Sequence, residues 1–286
     1  EFVVDGQDGI SDPVGMSGMR MEAEVHIITG LVSAAKNIYR CVERAGYQVA
    51  DIILEPLASS YAVLDQEEKE AGVVLVDIGG GTTDVAIFQD NTIRHTAVIA
   101  IAGQKVTDDI RLGLSVLDDQ AETLKRNHGE SYADMIQTDE VITVPGIAGR
   151  PPKEITKSIL AKIIQARMEE ILEIVSIEIK RSGYSESLSA GVVLTGGGSL
   201  IKNITSLGTE ILGMDAKVGI PLGITGGLVE EVNSPIYATG VGLVVHALQT
   251  GTNTNKTMIP SSSKATSVEQ VMARIADRMK SWFKEL

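Results

Sequence analysis

Residues 73–88 of this 286-residue chain read Val-Val-Leu-Val-Asp-Ile-Gly-Gly-Gly-Thr-Thr-Asp-Val-Ala-Ile-Phe. Two apolar runs, Val73–Val76 and Val85–Phe88, flank a turn of three glycines and two threonines. The runs are too short and too rich in β-branched residues for helices, so they predict a β-hairpin. Glycines let backbone N–H groups approach an anion closely, and successive N–H groups form a concavity that binds phosphate. The pattern therefore predicts a phosphate-binding hairpin.

The turn supplies further groups for a phosphate and a metal ion. Asp77 and Asp84 stand at the two strand ends that face the turn. A carboxylate beside phosphates is explained by a divalent metal between them, and Mg²⁺ held through water suits such a site. The alternative is an ordinary glycine-rich hairpin, although a plain hairpin needs one or two glycines rather than three. The predicted cofactor-binding residues of this turn are Gly79, Gly80, Gly81, Thr82 and Thr83.

A second glycine-rich turn follows another apolar run. Residues 190–199 read Ala-Gly-Val-Val-Leu-Thr-Gly-Gly-Gly-Ser, and Ser199 is a good N-cap for a helix that begins there. One such turn alone has an equally simple structural explanation, but two of them in one chain support each other. The first suits phosphates, and the second suits close packing of backbone against a flat ligand such as adenosine. The predicted binding residues here are Gly196, Gly197, Gly198 and Ser199.

Both turns resemble motifs of a known superfamily. Residues 77–84 resemble the second phosphate loop of the actin, sugar-kinase and heat-shock-chaperone ATPases, and residues 194–199 resemble their adenosine motif. Residues 54–64 and 236–247 resemble the two connecting helices. Within the superfamily the chain most resembles FtsA, a family of bacterial cell-division proteins, over nearly its whole length. The segments that carry this closer resemblance are Asp12–Arg20, Val25–Thr29, Leu57–Tyr61, Ile93–Thr96 and Val144–Pro152.

The resemblance implies an α/β fold: an actin-like (ribonuclease-H-like) ATPase lobe with a mixed sheet and helices on both faces. It also implies ATP and Mg²⁺ as cofactors. In related ATPases a carboxylate at the position of Glu55 helps to hold metal-bound water, so Glu55 and Asp77 are the predicted catalytic residues and Asp77 the metal ligand. For Glu55 the alternative is a charge that favours the start of a helix. No general base is placed by the sequence, so we expect slow hydrolysis at most.

One part of the superfamily pattern is missing. Related proteins carry an earlier phosphate loop, an Asp-x-Gly-type hairpin near the N-terminus, and nothing upstream of Ile28 supplies it. We therefore expect a C-terminal fragment in which residues 1–29 are a remnant of the first lobe. Half of the nucleotide cleft is then expected to be absent.

The core of the second lobe is predicted at residues 30–105 and 178–249, because apolar strand-like and helix-like segments alternate there. Asp65–Glu70 is predicted to be a charged turn. The predicted strands outside the hairpin are Val25–Thr29, Val49–Leu54 and His95–Ala100. The predicted helices are Ser33–Ala45, Leu57–Leu64 and Lys105–Leu112.

Residues 106–177 are predicted to form a small inserted α/β subdomain. Its main element is a long helix, about Thr156–Arg181, with one apolar stripe at a spacing of three to four residues. Its charged face is either a solvated surface with i,i+4 ion pairs or a surface that binds a protein. The resemblance implies that this subdomain binds the C-terminal tail of the tubulin-like protein FtsZ, with Arg167 and Glu170 as candidate contacts.

The C-terminal region changes character twice. Residues 250–267 are small and polar, which predicts a flexible linker. Residues 268–286 then predict an amphipathic helix; residues 264–286 carry a net charge of +2 and the rest of the chain −15. A basic amphipathic helix tethered to an acidic body is typical of an in-plane membrane anchor on an anionic surface. The predicted membrane-binding residues are Val271, Met272, Arg274, Ile275, Arg278, Met279, Trp282, Phe283 and Lys284.

Two other interpretations of this helix remain: docking on the chain's own core and binding of a partner protein. The linker counts against docking, because a docking helix rarely needs a long structureless tether. Members of the FtsA family end in a membrane-targeting helix, so the resemblance favours the anchor.

Composition narrows the classes of partner and site. The net charge of −13 argues against nucleic acid, since phosphate backbones require a basic surface. A single cysteine, Cys41, rules out a disulfide framework and fits a reducing compartment. His95 and the other histidines lack the spacing of zinc ligands.

Together with these features, the resemblance implies an ATP-binding, self-assembling, actin-like protein that tethers FtsZ filaments to the cytoplasmic face of the cell membrane at the division septum. It would be a peripheral membrane protein that helps to assemble the septal ring. The alternatives are a soluble actin-like ATPase, such as a small-molecule kinase or chaperone, and a pilus-type adaptor of the same superfamily. The basic amphipathic tail separates the first interpretation from the others.

Overall fold

The computed structural model describes residues 2–254, apart from residues 11, 24, 145, 147, 148, 225 and 228. Its contacts divide the chain into two units, Glu1–Ala247 and Leu248–Leu286. The predicted amphipathic helix at 268–286 and most of the predicted linker lie outside the described residues.

The described elements come in short runs of strands and short runs of helices. The strands are β1 (Phe2–Val4), β2 (Gln7–Ile10), β3 (Met21–Ala23), β4 (Val73–Ile78), β5 (Thr83–Gln89), β6 (Thr92–Ile99), β7 (Val141–Val144), β8 (Lys153–Thr156), β9 (Val192–Thr195) and β10 (Ala216–Val218). The helices are α1 (Val32–Arg44), α2 (Glu55–Val63), α3 (Gln66–Ala71), α4 (Gly103–Leu114), α5 (Asp118–His128), α6 (Lys157–Ser182), α7 (Ile204–Leu212), α8 (Val229–Val232) and α9 (Ala238–Thr254). Short 3-10 helices lie at Ala133–Met135, Ser185–Ser187, Gly197–Leu200 and Pro235–Tyr237.

The centre of the fold is a five-stranded mixed sheet in the order β10-β9-β4-β5-β6. β4, β5 and β6 form an antiparallel meander, and β9 and β10 run parallel to β4. All residues of β4 and β9 are buried, as expected for strands covered on both faces. The predicted hairpin at residues 73–88 is confirmed. Two smaller sheets are antiparallel, with the orders β2-β1-β3 and β7-β8.

Helices cover both faces of this sheet, because alternate residues of each strand point to opposite sides. On one face Val74 and Val76 pack in a cluster with the buried residues of α4, α6 and α7. On the other face Val73 and Leu75 pack with α2 and with Ala238 of α9. The predicted mixed sheet with helices on both faces is therefore confirmed.

The long helix of residues 106–177 is α6, close to its predicted bounds. Its buried residues follow the predicted apolar stripe and belong to the same cluster as the strands of the central sheet. The side chains of Ile142 and Val144 in β7 join this cluster as well. One hydrophobic cluster thus continues from the central sheet into residues 106–177.

Two predicted strands are wrong. Val25–Thr29 and Val49–Leu54 have no regular structure among their described residues, and Val25 and Ile27 are exposed. Both segments have the β-branched composition of strands, but a strand is stabilised by pairing rather than by composition. The strand that precedes Val25–Thr29 in the sequence is β3, and β3 is the strand that pairs with β1.

Two predictions about where short helices begin are also wrong. The predicted turn Asp65–Glu70 is instead helical, because Asp65 is the N-cap of α3 and residues 66–70 are all but its last residue. Asp65 and Glu68 form a reciprocal capping box with distances of 2.8 and 3.1 Å. Ser199 is not an N-cap, because it lies within a 3-10 helix and donates its hydroxyl proton to the Gly196 carbonyl at 2.7 Å. α7 begins after Asn203, which has a left-handed backbone conformation.

The helix α9 continues to Thr254, so the first five residues of the segment predicted as a linker are helical. Within the described part of the chain, no helix is both long enough and apolar enough to cross a bilayer.

Where α2 and α9 cross, the chain has no room for a side chain. A Cβ added at Gly242 would overlap the carbonyl group of Ala58, whereas one added at Gly240, two residues earlier in α9, would meet nothing within 4 Å. The backbones of the two helices are therefore in direct contact at Gly242.

We expect Gly242→Ala to lower the free energy of unfolding by roughly 1–3 kcal/mol, because the new methyl group forces the two helix backbones apart. The matched control is Gly240→Ala, which should raise it by about 0.5–1 kcal/mol through the better helix propensity of alanine. Urea denaturation followed by circular dichroism measures both. Equal stability of the two variants would contradict the close crossing.

Candidate functional site

The sheet brings the predicted site residues together at one edge. Asp77 near the end of β4 is the register partner of Asp84 in β5 and of Thr195 in the parallel strand β9. In sheets of this kind the crevice beyond the carboxyl ends of parallel strands is the usual place for a ligand. Two turns meet here: the first glycine turn (residues 79–82) and the second glycine turn (residues 196–198).

The first glycine turn is closed by its own backbone and held by α4. The Gly79 N–H donates to the Thr82 carbonyl at 2.9 Å, and the first N–H groups of α4 donate to the carbonyls of Gly79 and Gly80 at 3.0 and 2.8 Å. Gly80 and Gly81 are exposed, and a Cβ at either position would meet nothing within 4 Å. The turn is thus fixed on one side and open to a ligand on the other.

The two predicted threonines behave differently. Thr82 is exposed, and its side chain hydrogen-bonds to the Asp84 carboxylate. Thr83 is buried and donates its hydroxyl proton to the Ile101 carbonyl at 2.8 Å. The Thr83 hydroxyl therefore anchors β5 to the segment before α4, and only Thr82 presents a hydroxyl at the surface of the turn.

The second glycine turn packs directly on the end of β4. Gly196 has a φ of +77°, and a Cβ there would overlap the Asp77 carboxylate and lie 2.6 Å from the Ile78 carbonyl oxygen. A Cβ at Gly198 would overlap the Ile78 side chain, whereas Gly197 is exposed. Close backbone packing was predicted here against a ligand; the structure shows that Gly196 and Gly198 make it with β4.

Hydroxyl groups from two helices converge on the buried Asp77 carboxylate. Ser59 of α2 donates to Asp77 Oδ2 at 2.8 Å, and Thr239 of α9 lies 3.4 Å from the same oxygen. The two hydroxyls are also within 3.0 Å of each other. Glu55 lies one helical turn before Ser59 in α2, so the i,i+4 spacing places both on the side of the helix that faces the site.

Three carboxyl groups at this edge have raised pKa values. Burial raises the pKa of Asp77, and the charge of Asp84 raises it further, while hydrogen bonds from Ser59 and Thr239 oppose the shift. Burial also raises the pKa of Asp84, against the hydrogen bond from Thr82. For Glu55 the pKa is raised by partial burial and then by the charges of Asp84 and Asp77. The cluster therefore concentrates negative charge beside the first glycine turn.

This donor set fits Mg²⁺ only together with a phosphate ligand. Among the residues that the structure describes, no group of three or more His, Cys, Asp and Glu side chains is arranged to hold a metal ion by itself. Mg²⁺ is commonly bound through one or two carboxylates plus phosphate oxygens and water. Asp77 and Asp84 beside an open glycine turn match that pattern.

Sequence reasoning missed a polar network at the start of α4. Lys125 donates to the Gly103 carbonyl at 3.0 Å and to the Thr107 hydroxyl at 2.8 Å, and it forms an ion pair with Glu122 at 2.7 Å. Thr107 in turn donates to Glu122 at 2.6 Å. The i,i+3 spacing of Glu122 and Lys125 indicates an ion pair, but nothing in the sequence indicates the contact with Gly103.

The predicted partner-binding residues lie away from this edge, on α6. Arg167 forms a two-pronged ion pair with Asp109 of α4 at 2.6 and 3.1 Å, and it also contacts Glu170. The Glu170 side chain is about half exposed. Both residues therefore have partners within the chain, and the pair with Asp109 joins α4 to α6. The predicted membrane-binding residues lie outside the described part of the chain.

Comparison with protein-family models gives two matches. Residues 74–242, which contain both glycine turns and α6, match the model described as Cell division protein FtsA. Residues 1–29 match the model described as the SHS2 domain inserted in FTSA.

Curated relatives agree with these matches. The chain is 44% identical over 282 residues to Cell division protein FtsA of Pseudomonas aeruginosa, covering 99% of this chain and 67% of the relative. It is 40% identical over 260 residues to the Escherichia coli K12 protein of the same name, covering 88% of this chain and 62% of the relative. The chain thus spans about two thirds of the length of these relatives.

Solved structures show the same actin-like fold at low sequence identity. MreB5 of Spiroplasma citri bound to ADP has a TM-score of 0.66 at 20% identity, covering 80% of this chain and 69% of that one. Sequence matches and fold together lead to one conclusion: the chain belongs to the FtsA family of actin-like cell-division proteins.

Proposed function

We propose that this chain binds ATP with Mg²⁺ between the two glycine turns and serves bacterial cell division as a nucleotide-responsive, actin-like adaptor. The observation that carries the proposal is the convergence of Glu55, Asp77 and Asp84 beside an open glycine turn. Exposed backbone N–H groups suit phosphate, and clustered carboxylates suit the metal ion that accompanies it. The solved relatives MreB5 bound to ADP and MreB5 bound to AMPPNP support a nucleotide as the ligand.

The proposed roles follow the positions of the side chains. Gly80 and Gly81 with Thr82 contact the phosphates, and Gly79, whose N–H donates to the Thr82 carbonyl, closes the turn. Gly197 is the exposed glycine of the second turn and contacts the adenosine. A bound Mg²⁺ ion would supply positive charge beside the phosphates and the carboxylates. Asp77 and Asp84 would hold it through water, and Glu55 would position a water molecule for slow hydrolysis. Thr83 and Ser199 have partners within the chain and act by fixing the turns.

The nucleotide is proposed to act mainly as a conformational ligand. Asp77 accepts hydrogen bonds from α2 and from α9, so the two helices share one carboxylate. A ligand that changes the charge balance at Asp77 therefore changes the free energy of both contacts, and it favours the conformation to which it binds more tightly. Self-association into an actin-like protofilament is the proposed output, in line with the double helical filament of the fold relative MamK.

Two further proposals complete the adaptor. The outer surface of α6 around Arg167 and Glu170 binds the C-terminal tail of FtsZ, as expected for the family. Residues 268–286 bind an anionic membrane surface, because their apolar face is flanked by Arg274, Arg278 and Lys284. The protein would then lie peripherally on the cytoplasmic face of the membrane at the septum.

The nucleotide site is tested first by Gly80→Val. Since a Cβ at position 80 meets no protein atom within 4 Å, the free energy of unfolding should change by less than about 0.5 kcal/mol. The valine fills the space that phosphate would occupy, so ATP affinity measured by calorimetry should fall about tenfold or more. Gly30→Val, another open position, is the control and should bind ATP like the parent. Equal ATP affinity in all three proteins would reject the site.

Asp84→Asn tests the charge cluster. A raised pKa means that the folded state holds its proton more tightly than the unfolded state, so ionised Asp84 lowers stability above its folded pKa. Without nucleotide, the variant should be about 1 kcal/mol more stable than the parent at pH 7. This difference should shrink as pH falls toward 4, where the parent carboxyl regains its proton.

The same variant should bind ATP with Mg²⁺ more weakly, because one carboxylate of the metal site is lost. Thermal denaturation between pH 4 and pH 7.5 and calorimetry with ATP supply the two readouts. Asp8→Asn, at an exposed residue of β2, is the control and should change neither. A variant that is less stable at pH 7 would contradict the proposed charge repulsion.

The membrane proposal is tested with Trp282→Glu combined with Phe283→Glu. Removing two bulky apolar side chains and adding two negative charges should reduce the fraction that sediments with phosphatidylglycerol vesicles about tenfold or more. The parent protein should sediment less in high salt and less with phosphatidylcholine vesicles. Ser261→Glu with Ser262→Glu carries the same added charge in the predicted linker and should sediment like the parent. Sedimentation of all three proteins alike would reject the anchor.

A further inference from the structure

Glu130 is a buried carboxylate outside the charge cluster, and it joins three distant parts of the chain. It is 7% exposed and follows the end of α5. One carboxylate oxygen lies 2.6 Å from the ammonium group of Lys157, the first residue of α6. The other oxygen accepts a hydrogen bond from the Asn203 side chain at 3.2 Å. Buried charges of this kind are retained only with close partners, and Glu130 has two.

The backbone beside Glu130 makes the same connection. The next residue, Ser131, is fully buried, and both its N–H and its hydroxyl donate to the Lys202 carbonyl at 2.9 and 2.8 Å. Glu130 and Lys202 also form an isolated parallel bridge. The segment Lys202–Asn203 is thus fixed by one side-chain contact and by two bonds to a single carbonyl.

This fixed segment is the direct continuation of the second glycine turn. Only the 3-10 helix Gly197–Leu200 and Ile201 lie between Gly196 and Lys202, and the N–H groups of Ser199 and Ile201 donate to Gly196 and Gly198 at 3.2 and 3.3 Å. Asn203 has a φ of +64°, so the chain makes a sharp turn there before α7. A change at Asn203 therefore reaches the glycines through a short run of hydrogen-bonded residues.

We infer that Glu130 is a positioning residue for the second glycine turn: with Lys157 and Asn203 it sets the place of residues 196–203 against the end of β4. The inference rests on the proposed nucleotide site. It adds that the ion pair between Glu130 and Lys157 links the start of α6 to the adenosine side of that site. Glu130 does not touch the ligand; it acts through Asn203 and Lys202.

Two variants separate this role from general stability. Glu130→Gln removes the charge opposite Lys157, and Asn203→Gly removes the amide contact while keeping a residue that tolerates positive φ. Both should raise hydrogen–deuterium exchange at residues 196–203 about tenfold, since a charge-assisted contact is lost. Exchange at residues 74–77 of β4 should stay as in the parent. Glu154→Gln, an exposed glutamate of β8, is the control and should leave both segments unchanged.

Nucleotide titration gives the second readout. Because the second glycine turn faces the part of the ligand that ATP and ADP share, both nucleotides should bind about tenfold more weakly to Glu130→Gln, with their affinity ratio kept. Unchanged exchange at 196–203 in both variants would overturn the inference, and so would a uniform rise across β4 and the turn. Failure of the parent protein to bind ATP would instead contradict the proposed function, while the exchange pattern still tests the role of Glu130.

Discussion

One buried carboxylate organises the candidate site. Asp77 is almost fully buried, accepts a hydrogen bond from Ser59 and lies within reach of Thr239. A charge removed from water is costly unless it is paired, so these hydroxyls are a condition for keeping an acidic residue at the end of a buried strand. They come from α2 and α9, the two helices that cover one face of the sheet. The packing of that face and the chemistry of the site therefore depend on the same oxygen atoms.

The site holds more negative charge than its surroundings neutralise. The pKa values of Asp77, Asp84 and Glu55 are all raised, first by burial and, for Asp77 and Glu55, also by the charge of neighbouring carboxylates. The hydrogen bonds to Asp77 and Asp84 oppose these shifts without cancelling them. A folded protein accepts such a cost at functional positions, where a ligand of opposite charge relieves it. The three carboxylates at this edge lower the stability of the unliganded protein. This cost supports a role in binding more strongly than the identity of any single residue does.

The sequence was sufficient where local pattern determines structure. The apolar runs around Gly79–Gly81 fixed the hairpin, and the apolar stripe of α6 fixed the long helix to within one residue at each end. It failed where pairing decides, because Val25–Thr29 and Val49–Leu54 have strand-like composition but no regular structure. Residue type also could not tell that the hydroxyls of Thr83 and Ser199 turn inward. The contacts of Lys125 and Glu130 join residues far apart in sequence, and no local signal predicts them.

The glycines at 196, 198 and 242 have a consequence for how this protein can vary. Gly196 and Gly242 allow main chain to touch main chain, and Gly198 allows main chain to touch the Ile78 side chain. A methyl group added at any of these positions would overlap the facing atoms. No residue of intermediate size exists for these positions, because even the single methyl group of alanine is larger than the space available. Substitutions that change the shape of the cleft by small steps are therefore tolerated only at exposed positions of its rim, such as Thr82. The three glycines themselves admit no larger residue without a shift of the neighbouring elements.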